Sequence, residues 1–257
     1  MDMGGWIMES IPVALQLYSI REQMAQDVPG TLEAVADMGY DGVEFAGFFD
    51  YAPEQLAQIC EELGLGIAGA HVQITAIEGD AIDATIDQHL ELGNDFVVVP
   101  GLPAAYSESV EAWKRTAGIF NAAIDAFDES GLELGYHNHK AEFMPLEGEI
   151  PWDVFMANTD ERVFGQLDIG HVYRAGNDPV AYLQKYAGRY LTVHVKDFGE
   201  GDADVLVGEG IADWDVIFPL CESEAGTEWY IIEQEVYPVP PMEAVAKCLE
   251  NMRVMGR

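Results

Sequence analysis

The sequence predicts an α/β fold, a single-domain (β/α)8 barrel, on two observations: a strand-then-helix pattern that repeats to the end of the chain, and a count of eight strand candidates within it. The candidates are the short β-rich runs at 13–18 "VALQLY", 40–45 "YDGVEF", 66–71 "GIAGAH", 95–100 "DFVVVP", 132–137 "LELGYH", 163–168 "VFGQLD", 190–196 "YLTVHVK" and 229–234 "WYIIEQ". Amphipathic stretches of helix length lie between them, at 30–38, 53–63, 81–92, 107–130 and 178–187, several closed by glycine (Gly39, Gly64, Gly93, Gly131, Gly188). Strict alternation implies parallel strands. An open doubly wound sheet is the alternative; it would carry a glycine-rich phosphate loop after its first strand, and "QLYSIR" is not one.

Composition narrows the class. The chain is 49% apolar over 257 residues, with no apolar run near the ~18 residues that cross a bilayer and no basic, apolar leader, which reads as a cytoplasmic protein. Residues 1–10, "MDMGGWIMES", are expected to be an extension ahead of a barrel domain at 11–257, with Met3 or Met8 as an alternative start. Forty-six acidic against twelve basic residues give a net charge of -34. Disorder does not explain it, because the chain is also rich in periodically placed aliphatic and aromatic residues. Adaptation to high salt does, since ions screen the self-repulsion of a carboxylate-rich surface. The same charge repels phosphate backbones and anionic membranes, which excludes nucleic acid and membrane as expected partners and leaves a small molecule, with homo-oligomerisation open. Cys60, Cys221 and Cys248 fall in helix-like segments and read as buried thiols.

Metal-type and acid–base side chains gather at the ends of the strand candidates: Gln16 and Ser19, Glu44, His71, His137 with Asn138 and His139, Asp168, His194 with Lys196, and Glu233. In a barrel those ends share one face, so residues scattered over the sequence become neighbours. Four consecutive strand ends offer candidate metal ligands: Glu142 just beyond the fifth, Asp168, His194 and Glu233. Oxygen-rich sets suit Mn²⁺ or Mg²⁺, and the imidazole makes Co²⁺ or Zn²⁺ acceptable; Mn²⁺ is the leading expectation. His194 and Lys196 stand two apart on one side of a strand, as do Glu233 and Glu235. The irregular stretch 197–213, "DFGEGDADVLVGEGIAD", reads as a site loop.

Four motifs in order, "YHNHKAEF", "LDIGHVYRAGNDPVAYLQKYAGRYLTVHVKDF", "VGEGIADWDVIF" and "WYIIEQE", resemble the sugar phosphate isomerase/epimerase superfamily, which has a xylose isomerase-like TIM barrel and includes epimerases of the tagatose 3-epimerase type and inosose dehydratases. The resemblance covers nearly the whole chain and is strongest over 132–235. It implies one divalent metal held by Glu142, Asp168, His194 and Glu233, with Glu142 and Glu233 on opposite faces of a carbon next to a carbonyl, one removing its proton and the other returning one through an enediolate. It also implies His171 at a substrate oxygen. Arg174, Lys196, His71, His137 and Glu44 are expected at the substrate as well. The tryptophans Trp6, Trp113, Trp152, Trp214 and Trp229 read as core or pocket wall.

A bound phosphate needs loop amides with Arg or Lys after strands seven and eight. Here 197–213 has six acidic residues and no Arg or Lys, and "EVYPVPP" has no Arg or Lys either, so an unphosphorylated ketose or keto-sugar is the expected substrate. The expected activity is isomerisation or epimerisation. The alternatives are a keto-inositol dehydratase, a sugar-binding module without turnover, and a DNA-repair endonuclease, the last disfavoured by the charge. The acidic surface itself predicts a melting temperature that rises between low and molar salt; a flat or falling trend contradicts the reading.

Overall fold

A computed structural model describes residues 10–200, 203 and 205–257. The expected N-terminal extension, Ser10 apart, and Trp6 lie outside the described residues. Eight strands are present: β1 (Val13–Gln16), β2 (Gly42–Phe45), β3 (Gly66–His71), β4 (Phe96–Val99), β5 (Glu133–His137), β6 (Phe164–Asp168), β7 (Thr192–Val195) and β8 (Trp229–Ile232). Each pairs in parallel with the next, and β8 closes on β1 through Val13↔Tyr230, Ala14↔Ile231 and Leu15↔Ile232, making a closed barrel. β1 stops short of the expected residue 18 because the Gln16 side chain accepts the Tyr18 N–H at 2.9 Å and turns the chain into a 3-10 turn at Leu17–Ile20.

The helices of Pro53–Leu63, Ala81–Leu92 and Val110–Glu129 lie where amphipathic spacing puts them, and Gly64 and Gly93 end two of them at φ 71° and 70°, a left-handed conformation that glycine adopts without a Cβ clash. Pro151–Asn158, Ile169–Arg174, Trp214–Leu220 and Pro241–Val254 complete much of the helical layer. Between this layer and the outer strand faces runs one large apolar core, holding Leu15, Val43, Val97, Tyr136, Leu167, Val193 and Ile232 from the strands and all three thiols. No helix among the described residues is long and apolar enough to cross a membrane.

Inside the barrel the packing changes character along its length. Ala14, Ala68 and Ile231 form one small cluster and Phe96, Val98 and Phe164 another, both touching Trp229, so the barrel interior there is apolar and filled. One strand position further along, the inward residues turn polar: Gln16, Glu44, His137, Asp168, His194 and Glu233 follow Ala14, Gly42, Gly135, Gln166, Thr192 and Ile231 by two residues, the period that returns a strand side chain to the same face. β3 reaches the same result by an irregularity. Pairing with β2 jumps from Val43↔Ile67 to Glu44↔Gly69, so β3 carries one extra residue there. Ala68 faces the interior cluster and Ala70 the outer core, and the extra residue brings His71 back inward.

Glycine at Gly135 admits the Phe164 ring, whose atoms would lie 2.6 Å from a Cβ there. Gly135→Ala is therefore expected to lower unfolding free energy by about 1–3 kcal/mol through overpacking, as read from denaturant unfolding; unchanged stability contradicts this packing.

Candidate active site

Four of the inward, polar strand ends converge. One donor atom each from His137, Asp168, His194 and Glu233 lies within 4.8 Å of the other three, and all four residues are buried. Asp168 Oδ1 accepts the His171 N–H at 2.7 Å, capping the short helix Ile169–Arg174, while Oδ2 has no hydrogen-bond partner, and neither has His137 Nδ1. A buried carboxylate oxygen and a buried ring nitrogen without hydrogen bonds, on residues of a cluster of metal-type donors, fit a divalent cation. Two imidazoles and two carboxylates suit Mn²⁺, Co²⁺ or Zn²⁺ better than all-oxygen Mg²⁺.

The cluster brings together Asp168, His194 and Glu233 with His137, and leaves out Glu142. Glu142 sits on a 3-10 turn at Ala141–Phe143, and its two oxygens are taken by the Tyr136 hydroxyl at 2.8 Å and the His139 N–H at 2.8 Å. The cause is Tyr136, which alternation sends outward into the aromatic packing of Trp113, Phe120, Trp152 and Phe155, where its hydroxyl needs an acceptor. Glu142 supplies it and stands apart from the cluster, and His137, expected as a substrate contact, occupies the β5 position in it.

Glu44 also departs from expectation. It is fully buried beneath the cluster, and its carboxylate accepts from Gln16 Nε2 at 2.5 Å, Gln166 Nε2 at 2.6 Å and His194 Nε2 at 2.7 Å, with His71 Nε2 3.2 Å away. No side is left for substrate. Instead it anchors His194: with Nε2–H on Glu44, the opposite nitrogen Nδ1 faces Glu233 Oε2 at 3.3 Å, the arrangement by which a carboxylate orients a metal-binding imidazole.

The electrostatics follow from the same contacts. Burial alone would lower His194, but Glu44 and Glu233 outweigh it and hold the imidazolium up to about 10. Burial would raise Glu233 and Glu44; for Glu233 the Lys196 ammonium and His194 prevail, for Glu44 His71 and His194 do, and both carboxyls stay well below the usual range. Burial, with His194 and His139 nearby, pushes His137 well below an ordinary imidazole, so it is neutral and able to ligate. Lys196 is sealed, with Nζ 3.1 Å from Glu233 Oε2, 3.3 Å from His171 Nε2 and 3.6 Å from Asp168 Oδ2, and it also donates to Glu235. Burial works against its charge and the three carboxylates restore it, raising the ammonium.

The cluster opens into a cleft of about 480 Å³ lined by His71, His137, His139, Glu233 and Glu235 on the polar side and by Tyr18, Ala46, Pro100, Leu102 and Pro103 on the apolar side. His71 and His137 thus line the cleft. Lys196 and His171 lie behind Glu235, and Arg174 stacks its guanidinium 4.8 Å from the Phe198 ring centre, away from the cleft lining. Tyr18, Gln73 and the 100–103 segment were not singled out by the sequence; they sit on loops after β1, β3 and β4, and that position was the available signal. Behind the site, Asp197 ties down the loop after β7 by accepting from the backbone N–H groups of Phe198, Gly208, Gly210 and Ala212 and from Trp214 Nε1, all at 2.9–3.2 Å.

An eight-stranded parallel barrel with a metal-type donor set at its strand C-termini defines the class. The chain belongs to the xylose isomerase-like TIM barrel family, whose model matches residues 32–255. An inosose dehydratase of Erwinia tasmaniensis is 23% identical, the match covering 97% of this chain and 94% of that one. One of Clostridium beijerinckii is 28% identical over 66% of this chain, which spans 59% of that relative's length. A solved sugar phosphate isomerase/epimerase from Parabacteroides distasonis superposes with a TM-score of 0.84 at 24% identity, over 96% of this chain and 95% of that one. The IOLI protein, solved with a zinc atom, superposes with a TM-score of 0.70 at 15% identity, over 94% of this chain and 96% of that one. These structures share the fold.

A cation entering the cluster has to displace the proton of His194. Because that imidazole is held up to about 10, it is protonated at pH 7.5, so uptake of Zn²⁺ or Mn²⁺ releases on the order of one proton and affinity climbs as pH rises toward 10. Calorimetry at pH 7.5 in two buffers of different ionisation enthalpy measures the release; none detected contradicts the assignment of His194.

Proposed function

We propose that the protein is a divalent-metal-dependent isomerase or epimerase that removes the proton next to the carbonyl of an unphosphorylated keto-sugar. The observation that carries this is Glu233: among the described residues it is the carboxylate that both belongs to the four-donor cluster and lines the cleft. A metal held by His137, Asp168, His194 and Glu233 supplies positive charge beside a substrate carbonyl, where negative charge develops as the neighbouring C–H bond breaks. Glu233 is ionised at neutral pH, kept so by Lys196 and His194, and reaches both the donor cluster and the cleft, so it takes the proton. Lys196, fixed between Glu233 and Glu235, holds both carboxylates in place. His139 lines the cleft with Glu233, but burial and the neighbouring His171 lower its imidazole and keep it neutral at rest, so the proton returned to the enediolate is the one that Glu233 has taken. Among the described residues the cleft lining carries no Arg or Lys, in keeping with a neutral substrate. The protein works in the cytoplasm of a salt-adapted cell on this reading.

One observation favours a second reading, dehydration. With Glu142 committed to Tyr136, the described residues of the cleft do not include the Glu142–Glu233 pair that a two-base epimerase would use, and the proton that Glu233 has taken can equally be passed to a departing hydroxyl. The inosose dehydratases among the relatives agree with that reading.

Incubation of the metal-loaded protein with a panel of ketoses and keto-inositols in D₂O tests both. Deuterium at carbon with no other mass change marks isomerisation or epimerisation, loss of water marks dehydration, and no exchange with any member contradicts the proposal. Glu233→Gln is expected to slow exchange about 10²–10⁴-fold, the usual worth of a general base. Glu142→Gln is expected to retain exchange and to lose stability by about 1–3 kcal/mol through its weakened buried hydrogen bonds; abolished exchange in a stably folded Glu142→Gln protein returns Glu142 to the chemistry.

A further inference from the structure

The chemistry proposed above uses only the polar part of the cleft lining. His71, His137, His139, Glu233 and Glu235 can meet one polyhydroxylated ring. The rest of the lining is largely apolar, with Tyr18 after β1, Ala46 after β2 and Pro100, Leu102 and Pro103 after β4, and Gln73 after β3 as its polar member. The volume of about 480 Å³ lies in the range that takes ligands of drug size, larger than a single sugar ring.

Tyr18 is 43% exposed, which is costly for a large aromatic side chain, and contacts on its backbone and ring tie it to its neighbours. Its backbone N–H donates to Gln16, and Arg21 donates both to the Tyr18 carbonyl at 3.0 Å and to the Tyr237 hydroxyl at 2.9 Å, placing the guanidinium 4.5 Å from the centre of the Tyr18 ring. Tyr237 in turn donates to the Ser19 carbonyl at 2.7 Å. The ring is thus backed by a cation on one side and open on the cleft side, at little entropic cost to a ligand that stacks there. Arg21 is occupied in this clamp and does not line the cleft. The segment 100–103 follows β4 and passes beside His139, which a Cβ on Gly101 would meet at 3.9 Å, so this apolar stretch of the lining adjoins the polar one.

We propose that Tyr18, Leu102 and Pro103 form a subsite for a second ring joined to the reacting sugar through a glycosidic bond, so that the substrate is a keto-sugar carried in a glycoside. The inference rests on the keto-sugar reading and adds the size and polarity of what is attached: an uncharged ring with an apolar face, from either a second sugar or an aryl group.

The test is binding of methyl β-glucoside, cellobiose and phenyl β-glucoside to the metal-loaded protein, followed by calorimetry or saturation-transfer NMR. Cellobiose or phenyl glucoside is expected to bind at least tenfold more tightly than methyl glucoside, and which of the two does so identifies the attached ring. Tyr18→Ala is expected to reduce that preference about tenfold, with Leu102→Ser as a second variant should the first misfold. Methyl glucoside binding as tightly as both larger probes, or a preference untouched by either variant, overturns the subsite while leaving the keto-sugar reading standing. Failure of all three probes to bind overturns the subsite; because none of them carries a ketone, the keto-sugar reading is decided separately by the deuterium-exchange measurement above.

Discussion

A carboxylate without access to water has to be met by donors, and Glu44 is met from four strands: Gln16 on β1, His71 on β3, Gln166 on β6 and His194 on β7. This one group separates the apolar filling of the barrel from its reactive mouth. It sets which nitrogen of His194 faces upward, draws His71 inward across the β3 bulge, and is given room by Gly69, where a Cβ would meet its Oε1 at 2.8 Å. The cluster above is oriented from below.

Charge balance explains why so many carboxylates tolerate burial side by side. Asp168, Glu233 and Glu235 surround the Lys196 ammonium, and Glu44 and Glu233 hold His194 in its charged form. A divalent cation held by the cluster would take over part of this work, which would link metal uptake to the His194 proton and the position of Lys196. Asp197, the next residue along the chain, points the other way and spends its charge on loop amides. Two neighbouring residues at the end of β7 thereby serve the chemistry and the wall around it.

Much of this was legible in the sequence, and the failures share a cause. Asp168, His194 and Glu233 sit in or directly after strands, where a two-residue period fixes the direction of a side chain, so counting from the apolar positions finds them. Glu142 lies past the strand on a 3-10 turn, where that period no longer applies, and the need of the buried Tyr136 hydroxyl for an acceptor decides its direction. The same alternation puts His137 in the mouth, so parity pointed to the residue that family resemblance passed over. Glu44 was visible as a strand-end acid, but its role depends on donors from four other strands that no local pattern brings together. The inward turn of His71 depends on one extra residue in β3, for which Gly69 was the faint sign.

The central claim is that His137 takes the β5 place in the metal set. X-ray absorption at the edge of bound Zn²⁺ or Mn²⁺ counts the imidazoles around the ion directly. Two imidazoles, falling to one in His137→Ala and unchanged in Glu142→Gln, is the expected result; a single imidazole in the unaltered protein, with loss of a carboxylate oxygen in Glu142→Gln, would contradict it.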